Sequence, residues 1–129
     1  MSKAIVEHVN MTVSDPKKTA EMLCRLFDWK IRWHGAAMNG EGFTYHVGSE
    51  GSYLALYSGH VNNPAEESNY ETVGGLNHVG ILVDDINATE KRILAAGYKT
   101  QSHSDYEPGK RFYFHDGDNI EFEIVSYTS

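Results

Sequence analysis

Residues 7–15 read Glu-His-Val-Asn-Met-Thr-Val-Ser-Asp, and residues 77–85 read Asn-His-Val-Gly-Ile-Leu-Val-Asp-Asp. Each is a short apolar run with a histidine in second place and an acidic or hydroxyl side chain at its end. His8 and His78 stand 70 residues apart (78 − 8), and so do Asp15 and Asp85 (85 − 15). Self-similarity at a fixed offset marks a repeated structural unit. The chain therefore reads as two copies of one module, each opening with a strand that carries a histidine.

Around the first copy, residues 5–13 alternate, with Val9, Met11 and Val13 on one face and His8, Asn10 and Thr12 on the other. Ser14-Asp15-Pro16 is a helix start, a capping side chain followed by proline in the first turn. The helix is expected to run to about Asp28, burying Ala20, Leu23, Leu26 and Phe27 at spacings of three and four. Cys24 beside that stripe reads as a buried structural thiol. Three strands follow, at Trp29–Trp33, Phe43–Val47 and Tyr53–Tyr57, with a loop over Gly35–Gly42 and a turn over Gly48–Ser52.

Around the second copy, Asn77–Val83 is a strand and Asp84 or Asp85 caps a helix ending near Ala96, with Ile86, Ile93 and Leu94 apolar and Gly97 as its stop. Strands are expected at Tyr98–Gln101, Arg111–His115 and Ile120–Val125, with a polar loop over Ser102–Lys110 and a turn over Asp116–Asn119. The fold class is α+β, two tandem β-α-β-β-β modules in one domain. Module one spans about 4–58, a polar linker 59–75, and module two 76–127. Aligning the two closing turns, Glu50-Gly51 with Asp116-Gly117, equates Ala55 with Glu121 and Tyr57 with Glu123.

The totals set outer limits. A chain of 129 residues makes one domain, and modules of roughly 60 residues are too small to bury a good core alone, so they should pack on each other or on those of a second chain. A formal charge of −7 excludes partners that demand a basic surface, nucleic acid and anionic membrane among them. No run is long enough for a transmembrane span, residues 1–7 hold no apolar signal region, and Cys24 alone makes no internal disulfide. A reducing, cytoplasmic setting is expected.

One helix covers one face of a four-stranded sheet. The opposite faces hold His8, Asn10, Thr12, His46, Tyr53, Tyr57, His78, Tyr113, Glu121 and Glu123, facing either solvent or a cavity. His34, His60, His103 and His115 stand near loops and are expected to be solvated. Paired β-α-β-β-β modules that each open with a histidine strand resemble the vicinal oxygen chelate superfamily. That superfamily includes glyoxalase I, extradiol ring-cleaving dioxygenases, methylmalonyl-CoA epimerase, and fosfomycin- and bleomycin-resistance proteins. Glu7–Pro16, Leu76–Ile86 and Tyr113–Ile124 carry the resemblance, which implies a curved, barrel-like mixed sheet with the helices outside.

The resemblance also implies a divalent metal, Fe(II), Mn(II), Zn(II) or Ni(II), held by His8, His78 and Glu121. The family's fourth position falls on Ala55, which cannot ligate. Two imidazoles and a carboxylate leave positions open for a small-molecule substrate. Glu123 is a candidate base or support for the ligands, and His46 and Tyr113 are candidate proton donors. Asn10, Trp33, Tyr53, Ala55, Tyr57 and Arg111 would line the pocket. The expected function is a metal-dependent enzyme of dioxygenase or lyase type, working as a homodimer. The competing expectation is a metal-free binding protein of the bleomycin-sequestering kind.

Overall fold

The first histidine run forms strand β1 (His8–Thr12), followed by α1 (Pro16–Phe27), β2 (Lys30–Ala36), β3 (Phe43–Gly48) and β4 (Tyr53–Ser58). These strands pair in the order β1-β4-β3-β2, with β1 parallel to β4 and the other pairs antiparallel. The second run repeats the plan as β5 (Val79–Leu82), α2 (Ile86–Ala95), β6 (Thr100–Tyr106), β7 (Gly109–His115) and β8 (Glu121–Tyr127), in the order β5-β8-β7-β6. The structure, a computed structural model, describes residues 3–37, 40–61, 63–64, 69–106 and 109–127. The chain divides into two units, residues 1–63 and 64–129.

The α+β class and the doubled β-α-β-β-β order are those read from the sequence. The described strands pair within two mixed sheets of four, one in each unit.

Both helices start where the capping chemistry placed them. The Asp15 carboxylate accepts from Lys18 N at 3.2 Å with Pro16 in the first turn. In α2 it is Asp85, not Asp84, that caps, accepting from Ala88 N at 3.0 Å. Gly97 (φ +98) takes the left-handed conformation after α2. In the first unit α1 lies on β2, β3 and β4 and buries Ala20, Leu23 and Leu26 completely, with Val47 and Leu56 of the sheet. In the second unit α2 lies on β6 and β8, and the core is Ile93, Phe112, Phe114, Phe122 and Ile124. Among the described residues, no helix is long and apolar enough to cross a membrane.

Four local readings are revised. Leu94 is 49% exposed, and Thr89 takes the buried place one turn before Ile93, its hydroxyl donating to Asp85 O at 2.9 Å. Val9, on the expected apolar face of β1, is exposed while Met11 and Val13 are buried. The loop at Gly35 starts later, because β2 continues to Ala36 opposite Phe43. The loop read over Ser102–Lys110 is largely strand: Ser104, Asp105 and Tyr106 pair with Arg111, Lys110 and Gly109. β6 is the outer strand of the β6–β7 ribbon at the sheet edge, and an edge strand needs only backbone partners on one side, so its side chains can be polar and leave no alternation to read. Residues 107 and 108 of that loop lie outside the described residues, as do parts of the linker.

The ribbon is tied to α2 by Glu90, whose Oε2 accepts from Thr100 Oγ1 at 2.5 Å and bonds His103 Nε2 at 2.6 Å. The Thr100 hydroxyl first, and His103 after it, hold the Glu90 carboxyl below its ordinary value against the opposing effect of burial. A depressed carboxyl stabilises the fold above its unfolded pKa and loses that contribution as pH falls through the folded value. The melting temperature should therefore drop between about pH 5 and 3, and Glu90→Gln should flatten that drop while costing about 1 kcal/mol at neutral pH. Calorimetric scans across that range check both outcomes.

Candidate functional site

The pairing of first strand with last decides which side chains share a neighbourhood. In the first unit Val9 pairs with Leu54 and Asn10 with Ala55; in the second Val79 pairs with Phe122 and Gly80 with Glu123. Val79 is the counterpart of Val9, so Phe122 is the counterpart of Leu54, a shift of 68 (122 − 54). Ala55 therefore matches Glu123 and Tyr53 matches Glu121. The alignment that equated Ala55 with Glu121 is corrected by two residues. Its turn-based anchor failed because turns vary in length, whereas strand pairing does not. The register makes His46 and Tyr113 true counterparts, opposite Ala55 and Glu123 respectively.

In the second unit, His78, Glu121 and Glu123 come together with Arg111, Tyr113 and His115. Glu123 Oε2 accepts from Arg111 at 2.8 Å and from the Tyr113 hydroxyl at 3.0 Å. Glu123 Oε1 faces His78 Nε2 at 3.1 Å. On the other side of the imidazole, Tyr70 donates its hydroxyl to Glu121 Oε2, and the Tyr70 oxygen lies 3.3 Å from His78 Nδ1. Because that O–H is spent on Glu121, the oxygen can only accept from His78, which puts the imidazole proton on Nδ1 and the lone pair on Nε2. Nε2 and a carboxylate oxygen then face one another lone pair to lone pair, an arrangement completed by a shared cation or by a second proton on His78. Both carboxylates are largely buried, Glu123 at 12% side-chain exposure, and such charges need partners. Burial first, and the hydrogen bond to Glu123 next, raise the Tyr113 hydroxyl pKa.

In the first unit, His8 Nδ1 bonds Glu7 Oε1 at 2.7 Å. The carboxylate only accepts, so Nδ1 is protonated and Nε2 keeps its lone pair, as in carboxylate–histidine pairs behind metals. The rings of His8, Tyr53, His46 and Trp33 form one layer, with successive centroids 4.9, 4.5 and 4.9 Å apart. Burial is the main cause that lowers the His46 pKa. The layer walls a trough of about 700 Å³ that Asn10, Ala55 and Tyr57 also line.

Of the predicted residues, His78, Glu121, Glu123, Tyr113 and Arg111 are thus one cluster in the second unit. His8, Asn10, Trp33, His46, Tyr53, Ala55 and Tyr57 share the trough of the first. Among the described residues, no group of three His, Cys, Asp or Glu is arranged to hold a metal ion. Three site residues were missed. His115, read as solvated, is half-buried with Nε2 3.3 Å from Glu121 Oε1; its alternation with Arg111 and Tyr113 was the available signal. Glu7 carried no signal beyond adjacency to His8, and Tyr70, in the polar linker, carried none. Two more histidines read as solvated have partners: His34 stacks on Tyr45 and His103 bonds Glu90. Cys24 is half-buried, and burial pushes its thiol pKa up, away from nucleophile chemistry.

A sequence model described as the Glyoxalase/Bleomycin resistance protein/Dioxygenase superfamily matches residues 5–124. No curated protein matches. Among solved structures, the protein SMU.1112c is similar at TM-score 0.80 and 19% identity, over 96% of this chain and 99% of that one. A glyoxylase/bleomycin resistance protein/dioxygenase domain from Frankia sp. EAN1pec is similar at TM-score 0.79 and 23% identity, over 98% and 100%. A mutant of the fosfomycin resistance protein FosX from Listeria monocytogenes, complexed with Mn(II) and 1S,2S-dihydroxypropylphosphonic acid, is similar at TM-score 0.74 and 20% identity, over 99% and 95%.

The hydrogen bond to Glu121, with burial behind it, pushes the Tyr70 hydroxyl up to about 12. Removing the carboxylate charge removes the leading cause, so Glu121→Gln should bring Tyr70 down toward its ordinary value of about 10. Labelling the tyrosine Cζ with ¹³C should find Tyr70 still protonated at about pH 11 in the native chain and largely ionised in the variant.

Proposed function

The chain belongs to the Glyoxalase/Bleomycin resistance protein/Dioxygenase superfamily, and on that premise we propose that it is a metal-dependent enzyme acting on a small molecule through that molecule's oxygen atoms. His78 and Glu123 would hold the divalent ion, Mn(II), Fe(II), Zn(II) or Ni(II), and His8 is the matching imidazole of the first unit. The observation that carries this reading is the 3.1 Å approach of His78 Nε2 to Glu123 Oε1. Two ligands bound at about 2.0–2.2 Å to one ion sit about that far apart. Glu123 takes the ligand role over Glu121 because its second oxygen is already fixed by Arg111 and Tyr113, which aims the first. Glu121 instead holds Tyr70 and, through it, the Nδ1 side of His78.

His8 belongs to the first unit, with Glu7 fixing its tautomer. A homodimer is part of the reading. The ion would supply Lewis acidity to a substrate oxygen. The chain's own residues do the rest. Arg111 neutralises the second oxygen of Glu123. Tyr113, whose hydroxyl donates to Glu123, and His46, the corresponding group of the first unit, are the candidate proton donors. The chemistry is of dioxygenase or lyase type, in the cytoplasm. A metal-free binding protein is the second reading, favoured by the ring-lined trough; binding undiminished by excess chelator, in protein that takes up no metal, would select it.

Elemental analysis after incubation with each of the four ions should find about one ion for each His78 and Glu123 pair. His78→Ala and Glu123→Gln should each weaken Mn(II) binding by more than roughly 10-fold, read by calorimetry or electron paramagnetic resonance. Protein that stays metal-free throughout refutes the reading.

A further inference from the structure

We propose that the trough of the first unit takes a neutral, planar aromatic group, laid against the ring layer that Trp33 opens. The inference rests on the reading that the chain handles a small molecule and adds the chemical class of that molecule.

Trp33 is 49% exposed, although an indole buries readily. Its position is built in. The β2–β3 register shifts between Ile31 and Trp33, and the indole folds back over Gly35. A Cβ on Gly35 would stand 2.8 Å from Trp33 Cζ2, so only glycine leaves room for the ring there. His46 and Tyr53 continue the layer at centroid separations of 4.9 and 4.5 Å. Inside the layer the stacked faces of Tyr53 and His46 are taken by their neighbours, so the exposed indole at its end is the face onto which another flat ring stacks. The rest of the lining includes three small side chains, Ala36, Ala37 and Ala55, the last beside His46 and only 1% exposed. A volume of about 700 Å³ falls in the range of sites for drug-sized ligands.

The charge of the ligand follows from the lining. None of its described residues is Asp, Glu, Lys or Arg; its polar contributions are amide, hydroxyl and imidazole groups. Arg32 lies over the Tyr53 ring and lines a separate cleft with Lys30 and Glu50. A charged group entering the trough would lose hydration without gaining an ion pair. The net charge of −7 adds a general penalty for anions. The trough is therefore unsuited to a phosphonate like that in the FosX complex.

Calorimetric titration of the full chain with 2-naphthol, quinoline and propylphosphonate tests this, with and without excess chelator. The two neutral aromatics should bind in both conditions, and propylphosphonate should not displace them. Trp33→Ala should weaken them about 10-fold, whereas Trp29→Phe, which alters the tryptophan packed on Phe27, should leave them unchanged. Circular dichroism confirms that each variant is folded, and Ala55→Leu, which fills the trough, should block binding independently. Aromatics that fail to bind with Mn(II) uptake intact, or bind equally well to folded Trp33→Ala, overturn the inference and leave the metal reading standing. Aromatics that bind protein unable to take up any ion do the reverse. Propylphosphonate binding that depends on Trp33 also overturns it.

Discussion

Parallel pairing of the first strand with the last is the constraint on which the rest depends. Each module spends a helix and two antiparallel strands before its chain returns beside its opening strand. A parallel neighbour requires such a crossover, since no tight turn can connect two parallel strands. The return sets a side chain of β8 beside the histidine run of β5, and because side chains alternate, the register fixes which ones. A slip of one residue would turn the carboxylates into the helix-covered core. A slip of two keeps the face and exchanges Glu121 for Glu123.

The same pairing produces two chemically different surfaces from one plan. At matched positions the first unit has Tyr53 and Ala55 where the second has Glu121 and Glu123, and His46 where the second has Tyr113. One sheet thus presents stacked rings and small apolar groups. The other presents two largely buried carboxylates held by Arg111, tyrosine hydroxyls and imidazoles. Desolvating a carboxylate is costly unless hydrogen bonds and an opposite charge replace the water. Arg111 does this for Glu123. Tyr70 and His115 do it for Glu121, although Tyr70 itself stays 55% exposed.

The fold was legible because its signals are local and repeated. The echo around His8 and His78 gave the module, Asp15-Pro16 gave the first helix start, and Phe112 and Phe114 gave a core face. Misreadings fell where local pattern and backbone pairing part company. The polar edge strand β6 and the start of β7 looked like a loop because nothing over Ser102–Lys110 alternates. Leu94 looked buried because hydrophobicity alone does not say where a helix face points.

By itself, then, the sequence determined the α+β modules, the polar sheet faces and the residue types gathered on them, all of which follow from periodicities of two and 3.6. Tertiary structure alone decided the register between β5 and β8, the recruitment of Tyr70 from the linker, and the folding of Trp33 over Gly35. Each of these is a contact between residues distant in the chain or a backbone irregularity. No local pattern encodes such features, because their energy comes from neighbours that exist only once the chain has folded.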